Sequence, residues 1–179
     1  MRTTSIPKPI SILFAIASCV SFAQAQVKSK PNLSGTWTVD LTKSDKTNNP
    51  LEDSEKSVTI QHTEPEIRMI HQYGSFALPL TVFSDERGET YKSPVSGMSG
   101  KSKTKWDGDK LVIHFIGGGI SGTAVRSVNV IEEWKLSKDG RTLTKKITLV
   151  FPRNAPDRVN AVPVPQPNLE YKKVYNRAS

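Results

Sequence analysis

Leu33-Ser-Gly-Thr-Trp-Thr-Val-Asp-Leu41 is the stretch of sequence that decides the fold. Its side chains alternate, with a period of two, between a mainly apolar face and a polar face. The apolar face carries Leu33, Gly35, Trp37, Val39 and Leu41, and the polar face carries Ser34, Thr36, Thr38, Asp40 and Thr42. Such alternation is typical of an antiparallel strand that buries one face. We therefore predict a first strand over residues 33–42, followed by a polar linker over 43–53.

A predicted hairpin further along the chain supports the same fold class. Its strands are residues 57–62 and 67–73, joined by the turn at 63–66. When His62 is set opposite Ile67, the apolar side chains of both strands fall on one side of the hairpin. Because a shift of one residue would turn every side chain to the other face, this agreement favours the proposed register.

A second hairpin, formed by residues 125–136 and 142–151, has Asp139-Gly140 at its tip. Setting Leu136 opposite Leu143 again places the apolar residues of both strands on one face. The dipeptide at the tip accepts the positive φ angles that tight hairpin turns require.

The remaining pattern consists of short strands, and no stretch of ten or more residues carries a helical stripe. Pro79 marks an edge or a bulge, Asp107-Gly108 marks a turn, and residues 117–119 are interpreted as a pliable loop or a wide turn. Further strands are predicted at 76–82, 89–92, 101–106, 110–116 and 169–177. The sequence thus predicts an all-β protein, an antiparallel up-and-down barrel of about 8–10 strands, because closure removes exposed sheet edges.

Residues 1–25 have the layout of a signal peptide, which we place outside the fold. Basic residues precede an apolar run at 10–17, and Ala23-Gln24-Ala25 supplies small residues for cleavage. The alternative is a lipoprotein anchored through Cys19, because Ile16-Ala-Ser-Cys19 resembles a lipobox. Either leader predicts an exported protein, periplasmic or extracellular, without a transmembrane segment.

The mature chain, residues 26–179, is long enough for one domain with a substantial core. Its 23 basic and 17 acidic residues give a net charge of +6. This charge favours an anionic envelope surface as a partner. The basic residues are spread over predicted outer faces, so a solvated surface is the simpler explanation. Nothing in the pattern indicates a nucleic-acid partner or an oligomeric state.

The segment 152–167 holds five prolines and cannot form a central strand or a helix. We interpret it as an extended loop before the closing strand. A loop of this length is functional or mobile. The two interpretations are a cover or rim at one end of the barrel, and simple disorder.

Gly35-Thr36-Trp37 at the start of the first strand, with a tyrosine-bearing last strand, resembles the lipocalin (calycin) pattern. The resemblance implies that Trp37 closes one end of the barrel and that an arginine near the last strand packs across it. Arg177 is the candidate for that partner, and Lys173 is a weaker one. Because barrels of this kind host carriers, enzymes and inhibitors, the resemblance implies a fold more than a function.

Four segments carry a closer resemblance to a group of secreted bacterial β-barrel proteins of unestablished function, common in acidobacteria. This resemblance covers nearly the whole mature chain. The segments begin at Leu33-Ser-Gly-Thr-Trp37, Lys105-Trp-Asp-Gly108, Trp134-Lys-Leu-Ser137 and Lys173-Val-Tyr175.

No cluster of residues predicts catalysis, a metal site or a cofactor. His62 and His71 share a face but lie roughly 13 Å apart along the hairpin, too far to ligate one metal without other residues, and His114 is out of phase. The serines at 99 and 121 lack the spacing of a nucleophile elbow. We therefore expect that the protein is not an enzyme and that it binds neither a metal nor a cofactor.

Glu132 and Lys145 fall on the nominally inward face of the second hairpin. Charges inside a barrel are costly unless they are paired or wetted. Two alternatives follow: a polar cavity that holds a ligand's carboxylate or hydroxyl, or a small shift in register that sends both side chains to solvent. The second alternative is favoured here.

The leading hypothesis is an exported binding protein that holds a small hydrophobic or amphipathic ligand inside the barrel. The alternative is a non-enzymatic envelope module with a filled core that acts through its basic surface. The size of the internal cavity discriminates between them. The candidate cavity residues are Val39, Leu41, Ile60, Met69, Leu80, Ile113, Phe115, Val130, Glu132, Lys145, Ile147 and Leu149.

Overall fold

The structure, a computed structural model, contains ten strands and one short helix in its described part. The described residues are 30–47, 50–92, 99–121, 124–150 and 168–178. The elements are β1 (Gly35–Val39), α1 (Pro50–Asp53), β2 (Glu55–Thr63), β3 (Glu66–Tyr73), β4 (Phe76–Phe83), β5 (Glu89–Lys92), β6 (Ser99–Asp107), β7 (Lys110–Ser121), β8 (Ala124–Leu136), β9 (Thr142–Val150) and β10 (Leu169–Arg177).

All ten strands belong to one antiparallel sheet in the order β4-β3-β2-β1-β10-β9-β8-β7-β6-β5. Chain neighbours pair throughout this order, except that β1 and β10 pair with each other and bring the two ends of the domain together. The result is a nearly closed up-and-down barrel. The predicted fold class, including the number of strands, is confirmed.

The registers predicted for the two hairpins are also confirmed. His62 lies opposite Ile67 in the first, and Leu136 lies opposite Leu143 in the second. Alternate side chains of each strand therefore point into the barrel, as the period of two requires. One irregularity interrupts β2, a bulge between Glu55 and Ser57, and it changes which side chains enter the interior.

The barrel is incomplete as a sheet between β4 and β5, which lie at the two ends of the strand order. Pro79 lies on β4, an edge strand, as predicted. Other groups bridge this seam: the Glu89 carboxylate accepts hydrogen bonds from the Phe83 N–H (2.6 Å) and the Ser102 hydroxyl (2.7 Å). An isolated bridge joins Asp85 to Lys105 on β6. These contacts hold β4 near β6.

One end of the barrel, here the closed end, carries the turns at 64–65, 108–109 and 137–141. Side chains fill the interior at this end. The packed core contains Leu33, Trp37, Val58, Ile60, Ile67, Met69, Val82, Leu111, Ile113, Trp134, Leu143 and Tyr175, with Val39, Leu80, Trp106 and Leu136 packed against it. Each buried aliphatic or aromatic side chain stabilises the fold by about 1.5–3 kcal/mol relative to exposure.

Trp37 and Arg177 meet at the closed end, directly opposite each other in the β1–β10 pair. The guanidinium carbon lies 4.2 Å from the centre of the indole ring, and the indole N–H donates to the Leu33 carbonyl at 3.0 Å. Gly35 allows this approach, because a Cβ there would lie 2.7 Å from an Arg177 nitrogen and its φ of 141° is strained for other residues.

Two predictions about strand ends were wrong. Leu41 lies beyond β1 and is 75% exposed, because the Asp40 carboxylate accepts hydrogen bonds from the N–H and hydroxyl of Thr42 and fixes a turn there. Residues 117–119, interpreted as a loop, belong to β7 and pair with β8.

The predicted leader (1–25) and the proline-rich loop (152–167) lie outside the described residues. Within the part of the chain that the structure describes, there is no helix long and apolar enough to cross a bilayer.

Candidate functional site

The end of the barrel opposite the closed end, here the mouth, carries α1 and the turn at 74–75. Inward-facing side chains near this end are only half-buried, in contrast to the filled closed end. The half-buried inward residues are Leu78, Leu80, Phe115, Val130, Glu132, Leu149 and Tyr171. An apolar surface that faces inward yet stays accessible is the place where a barrel can accept a ligand.

The predicted cavity residues divide between the two halves of the barrel. Ile60, Met69 and Ile113 lie in the packed core, and Ile147 is also buried. Val39 and Leu80 are partly buried against the core, and Phe115, Val130 and Leu149 are half-buried towards the mouth. Leu41 does not belong to the set, because it is exposed outside the barrel.

Glu55 is the centre of a buried polar cluster between the two halves. The bulge in β2 directs both Glu55 and Val58 inward, although they are three residues apart. The Glu55 carboxylate accepts hydrogen bonds from Lys145 Nζ at 3.2 Å and Lys173 Nζ at 3.0 Å. It also accepts from Tyr175 Oη at 3.0 Å.

His71 completes the shell around Glu55, with its Nδ1 at 2.6 Å from the other carboxylate oxygen. The five side chains, which we call the Glu55 cluster, are each at most 5% exposed. Burial disfavours ionisation of Glu55, but the charge of Lys145, the hydrogen bond from His71 and the charge of Lys173 outweigh it and hold the pKa of Glu55 far below its usual range. The carboxylate is therefore ionised inside the protein.

Lys145 is likewise held in its charged form by its partners in the cluster. Burial opposes the charge on Lys145, but the carboxylates of Glu55 and Glu52 outweigh burial and raise its pKa well above the usual value. Burial is also the main reason why the pKa of Tyr175 is raised well above its usual value. The cluster thus contains ammonium ions and a neutral phenol around a carboxylate.

Helix α1 lies over the cluster on the mouth side. The Lys173 ammonium donates to the Glu52 backbone carbonyl, and a Glu52 carboxylate oxygen lies 3.4 Å from Lys173 Nζ and 3.7 Å from Lys145 Nζ. That oxygen, Oε2, is buried without a hydrogen-bond partner among the described residues. Its partners there are the two ammonium groups, so Glu52 adds a second carboxylate to the cluster.

The structure corrects the favoured interpretation of Glu132 and Lys145, which sent both side chains to solvent. The register places Trp134 opposite Lys145 without a shift, and Lys145 is 1% exposed. Glu132 is half-buried and accepts a hydrogen bond from Trp134 Nε1 at 3.0 Å. Pairing with Glu55 offsets the cost of burying the ammonium group of Lys145.

Sequence reasoning missed Glu55 because strict alternation from Val58 places Lys56, not Glu55, on the inward face. It also assigned Lys173 as a weaker partner of Trp37, whereas Lys173 belongs to the cluster. A signal was present in β10, where Lys173 shares the inward phase of Tyr171 and Tyr175. A lysine on the inward face of each of two neighbouring strands predicts a buried acidic partner.

A second carboxylate, Glu64, organises the closed end. It accepts hydrogen bonds from Trp106 Nε1 at 2.6 Å and His62 Nε2 at 3.0 Å, from the Ser84 hydroxyl, and from Lys30 Nζ at 3.3 Å. These groups, the Glu64 cluster, tie the β2–β3 turn to β6 and to the end of β4. Unlike Glu55, the Glu64 side chain is 37% exposed.

A surface hollow of about 280 Å³ lies outside the barrel on the outer face of the β2–β3 hairpin. Polar residues line it: Gln61, Thr63, Glu66 and Arg68. The last two form an ion pair with each other. No group of three or more potential metal ligands occurs among residues 30–47, 50–92, 99–121, 124–150 and 168–178. The candidate site is the half-buried inward face near the mouth, with the Glu55 cluster beneath it.

No family model matches the sequence, and no curated protein shows significant sequence similarity to it. The fold does match solved structures. One is titled "REP1-NXSQ fatty acid transporter" (TM-score 0.52, 11% identity, covering 82% of this chain and 96% of that one). Another is human cRBP IV (0.53, 15%, 83% and 99%).

A third match is a Schistosoma mansoni fatty acid binding protein in complex with arachidonic acid (TM-score 0.52, 14% identity, covering 82% of this chain and 96% of that one). At these identities the likeness is one of fold alone. The chain therefore has the barrel architecture of the lipocalin and fatty-acid-binding class, on which it builds its own interior.

Proposed function

We propose that this is an exported binding protein that holds a small apolar or amphipathic molecule in the mouth half of the barrel. The observation that carries the proposal is the division of the interior. The closed half is filled, whereas the inward residues near the mouth are only half-buried, and a polar cluster lies between the two halves. An apolar lining with a few convergent polar groups is the usual composition of a small-molecule site.

The structural neighbours support the same class of function. Two of the three named above are described as a fatty acid transporter and a fatty acid binding protein. Their fold spans nearly their full length and about four-fifths of this chain. Because one fold hosts several functions, the neighbours make binding the first function to test.

Titration with a neutral fluorescent probe such as N-phenyl-1-naphthylamine tests the proposal. We expect saturable binding that amphiphiles displace. Leu80→Arg places a charge on the half-buried inward face and should weaken probe binding by about tenfold or more. Ile70→Arg is the matched control, since Ile70 lies on the outer face of β3 and is 47% exposed. Equal binding by both variants, or no saturable binding by the wild type, contradicts the proposal.

Export is part of the proposal and rests on the leader at residues 1–25. Intact mass spectrometry of protein recovered from the secreting cell tests it. Cleavage after Ala25 should give a chain beginning at Gln26, whereas the lipoprotein alternative gives a lipidated Cys19 at the N-terminus. An unprocessed chain that begins at Met1 contradicts both.

The second candidate is an envelope module that acts through its basic surface. Lys101, Lys103 and Lys105 favour it, because all three are exposed on the outer face of β6. Cosedimentation with anionic vesicles tests this function, with neutral vesicles as the control. Replacement of all three lysines by glutamine should abolish sedimentation. If sedimentation persists, the outer face of β6 is not the surface that binds the vesicles.

A further inference from the structure

The two ammonium groups inside the barrel already have an anion. Lys145 and Lys173 both donate to one oxygen of Glu55, at 3.2 Å and 3.0 Å, and the Tyr175 hydroxyl donates to the same oxygen. A ligand carboxylate would need this same set of donors. It would have to displace a buried, ionised side chain that the β2 bulge holds in place, or enter beside it as a second buried negative charge.

Two carboxylates, those of Glu52 and Glu132, lie nearer the mouth, together with the phenol of Tyr171. The Glu52 carboxylate pairs with Lys173 Nζ at 3.4 Å and Lys145 Nζ at 3.7 Å, and its side chain is 18% exposed. Glu132 is half-buried on the inward face of β8. A head group that donates a hydrogen bond is attracted to these carboxylates, whereas a head group that is itself a carboxylate is repelled by them.

The balance of charge points the same way. Three carboxylates, those of Glu52, Glu55 and Glu132, face two ammonium groups across the interior. Negative charge on an incoming head group is therefore repelled, and positive charge or hydrogen-bond donors are attracted.

We propose that the barrel selects single-chain amphiphiles whose head group donates hydrogen bonds and carries no negative charge, an alcohol or an amine, and that it rejects fatty acids. The reason is that Glu55, a residue of the protein itself, already occupies the position between Lys145 and Lys173 that a ligand carboxylate would need. This inference rests on the proposed binding function and specifies the ligand for the same site. It separates this chain from the two structural neighbours described by their fatty acids.

Three ligands of equal chain length test the inference on the wild-type protein: dodecanol, dodecylamine and dodecanoate. Each is used at neutral pH to displace the bound neutral probe. We expect dodecanol and dodecylamine to displace it at concentrations about tenfold or more below that of dodecanoate, a difference of about 1.4 kcal/mol. Equal or stronger displacement by dodecanoate overturns the inference but leaves the binding function standing.

Two other outcomes are informative in the same experiment. If the probe binds but none of the three ligands displaces it, the head-group inference is overturned. If the probe does not bind saturably, the proposed function itself fails. The two hypotheses therefore fail by different readouts.

Glu132→Gln tests the acceptor role without removing the centre of the cluster. It should lower the preference for dodecylamine over dodecanoate by about tenfold. Glu133→Gln is the matched control, because Glu133 is the next residue on β8, faces outward and pairs with Lys110. An unchanged preference in Glu132→Gln overturns the inference.

Glu55→Gln tests the central step. It removes the central carboxylate from both ammonium groups, so dodecanoate should bind about tenfold more tightly than it binds to wild type. If dodecanoate binding does not improve in the folded variant, the inference fails. If the variant does not fold, Glu132→Gln and the wild-type comparison still decide the matter.

Discussion

Glu55 at the start of β2 and Glu64 in the β2–β3 turn are carboxylates of the same hairpin. Each accepts hydrogen bonds from four donors, yet their surroundings differ. Glu55 is buried and faces two ammonium groups, a phenol and an imidazole. Glu64 is more than one-third exposed, and three of its four donors are neutral groups or a histidine ring. The comparison shows that the burial of a carboxylate determines which partners it requires. At the surface water supplies part of the solvation, whereas in the interior full charges must replace it.

The largest expected effect follows from removal of the buried charge. Glu55→Gln removes the nearest carboxylate from Lys145 and Lys173 and leaves them the more distant Glu52, at 3.7 Å and 3.4 Å. Breaking a buried ion pair in this way costs about 3–5 kcal/mol, a large share of the stability of a domain. Urea unfolding at neutral pH should show the midpoint fall accordingly. A loss below about 1 kcal/mol would mean that water reaches the cluster.

The same substitution at the closed end should cost less. Glu64→Gln keeps the shape of the side chain and weakens the hydrogen bonds from His62, Ser84 and Trp106. Because Glu64 is partly exposed, we expect a loss of about 1–2 kcal/mol. Urea unfolding gives the value, and the tryptophan fluorescence of Trp106 reports whether the contact itself is lost. A loss as large as that of Glu55→Gln would remove the distinction between the two sites.

Acid should act on both carboxylates in the same direction. Partial burial raises the pKa of Glu64, but the hydrogen bonds from Ser84, His62 and Trp106 outweigh it and lower the pKa from 4.5 to about 2. A group with a lowered folded pKa stabilises the protein above its unfolded pKa and loses that effect as the pH falls. Stability should therefore decrease between pH 4.5 and 2.

Comparison of wild type with Glu64→Gln isolates the contribution of Glu64 to this acid dependence. The variant should show a shallower decrease in the urea midpoint over the same pH range. Glu55 remains in the variant and keeps its own acid dependence, because its pKa is also lowered. Identical pH profiles of wild type and variant would show that folding does not lower the pKa of Glu64.

The sequence predicted most of the barrel because strand pairing follows a simple period. The register of His62 with Ile67 and that of Leu136 with Leu143 each follow from apolar side chains that share one face. These contacts are local, joining residues close together along the chain. The long-range pairing of β1 with β10 was implied only by closure.

The candidate site was harder to predict because its partners are distant in sequence and its key residue breaks the period. Glu55 lies 90 residues from Lys145 and 118 from Lys173. The β2 bulge that turns Glu55 inward has no marker in the sequence. As long as Glu55 was not known to face inward, Lys145 on an apolar face indicated an error in the predicted register. The register was correct, and Lys145 indicated an acidic partner elsewhere in the chain.

The smallest expected effect completes the series from buried to exposed ion pairs. Arg68 and Glu66 pair on the outer face of the β2–β3 hairpin, with Arg68 63% exposed. Exposed pairs contribute about 0.2–1 kcal/mol, because water already solvates both charges. Arg68→Gln should therefore change the free energy of unfolding by roughly 0.5 kcal/mol or less, measured by the same urea titration. A larger loss would mean that an exposed ion pair stabilises this barrel as strongly as the Glu64 cluster does. Burial would then no longer explain the order of the stability losses at Glu55, Glu64 and Arg68.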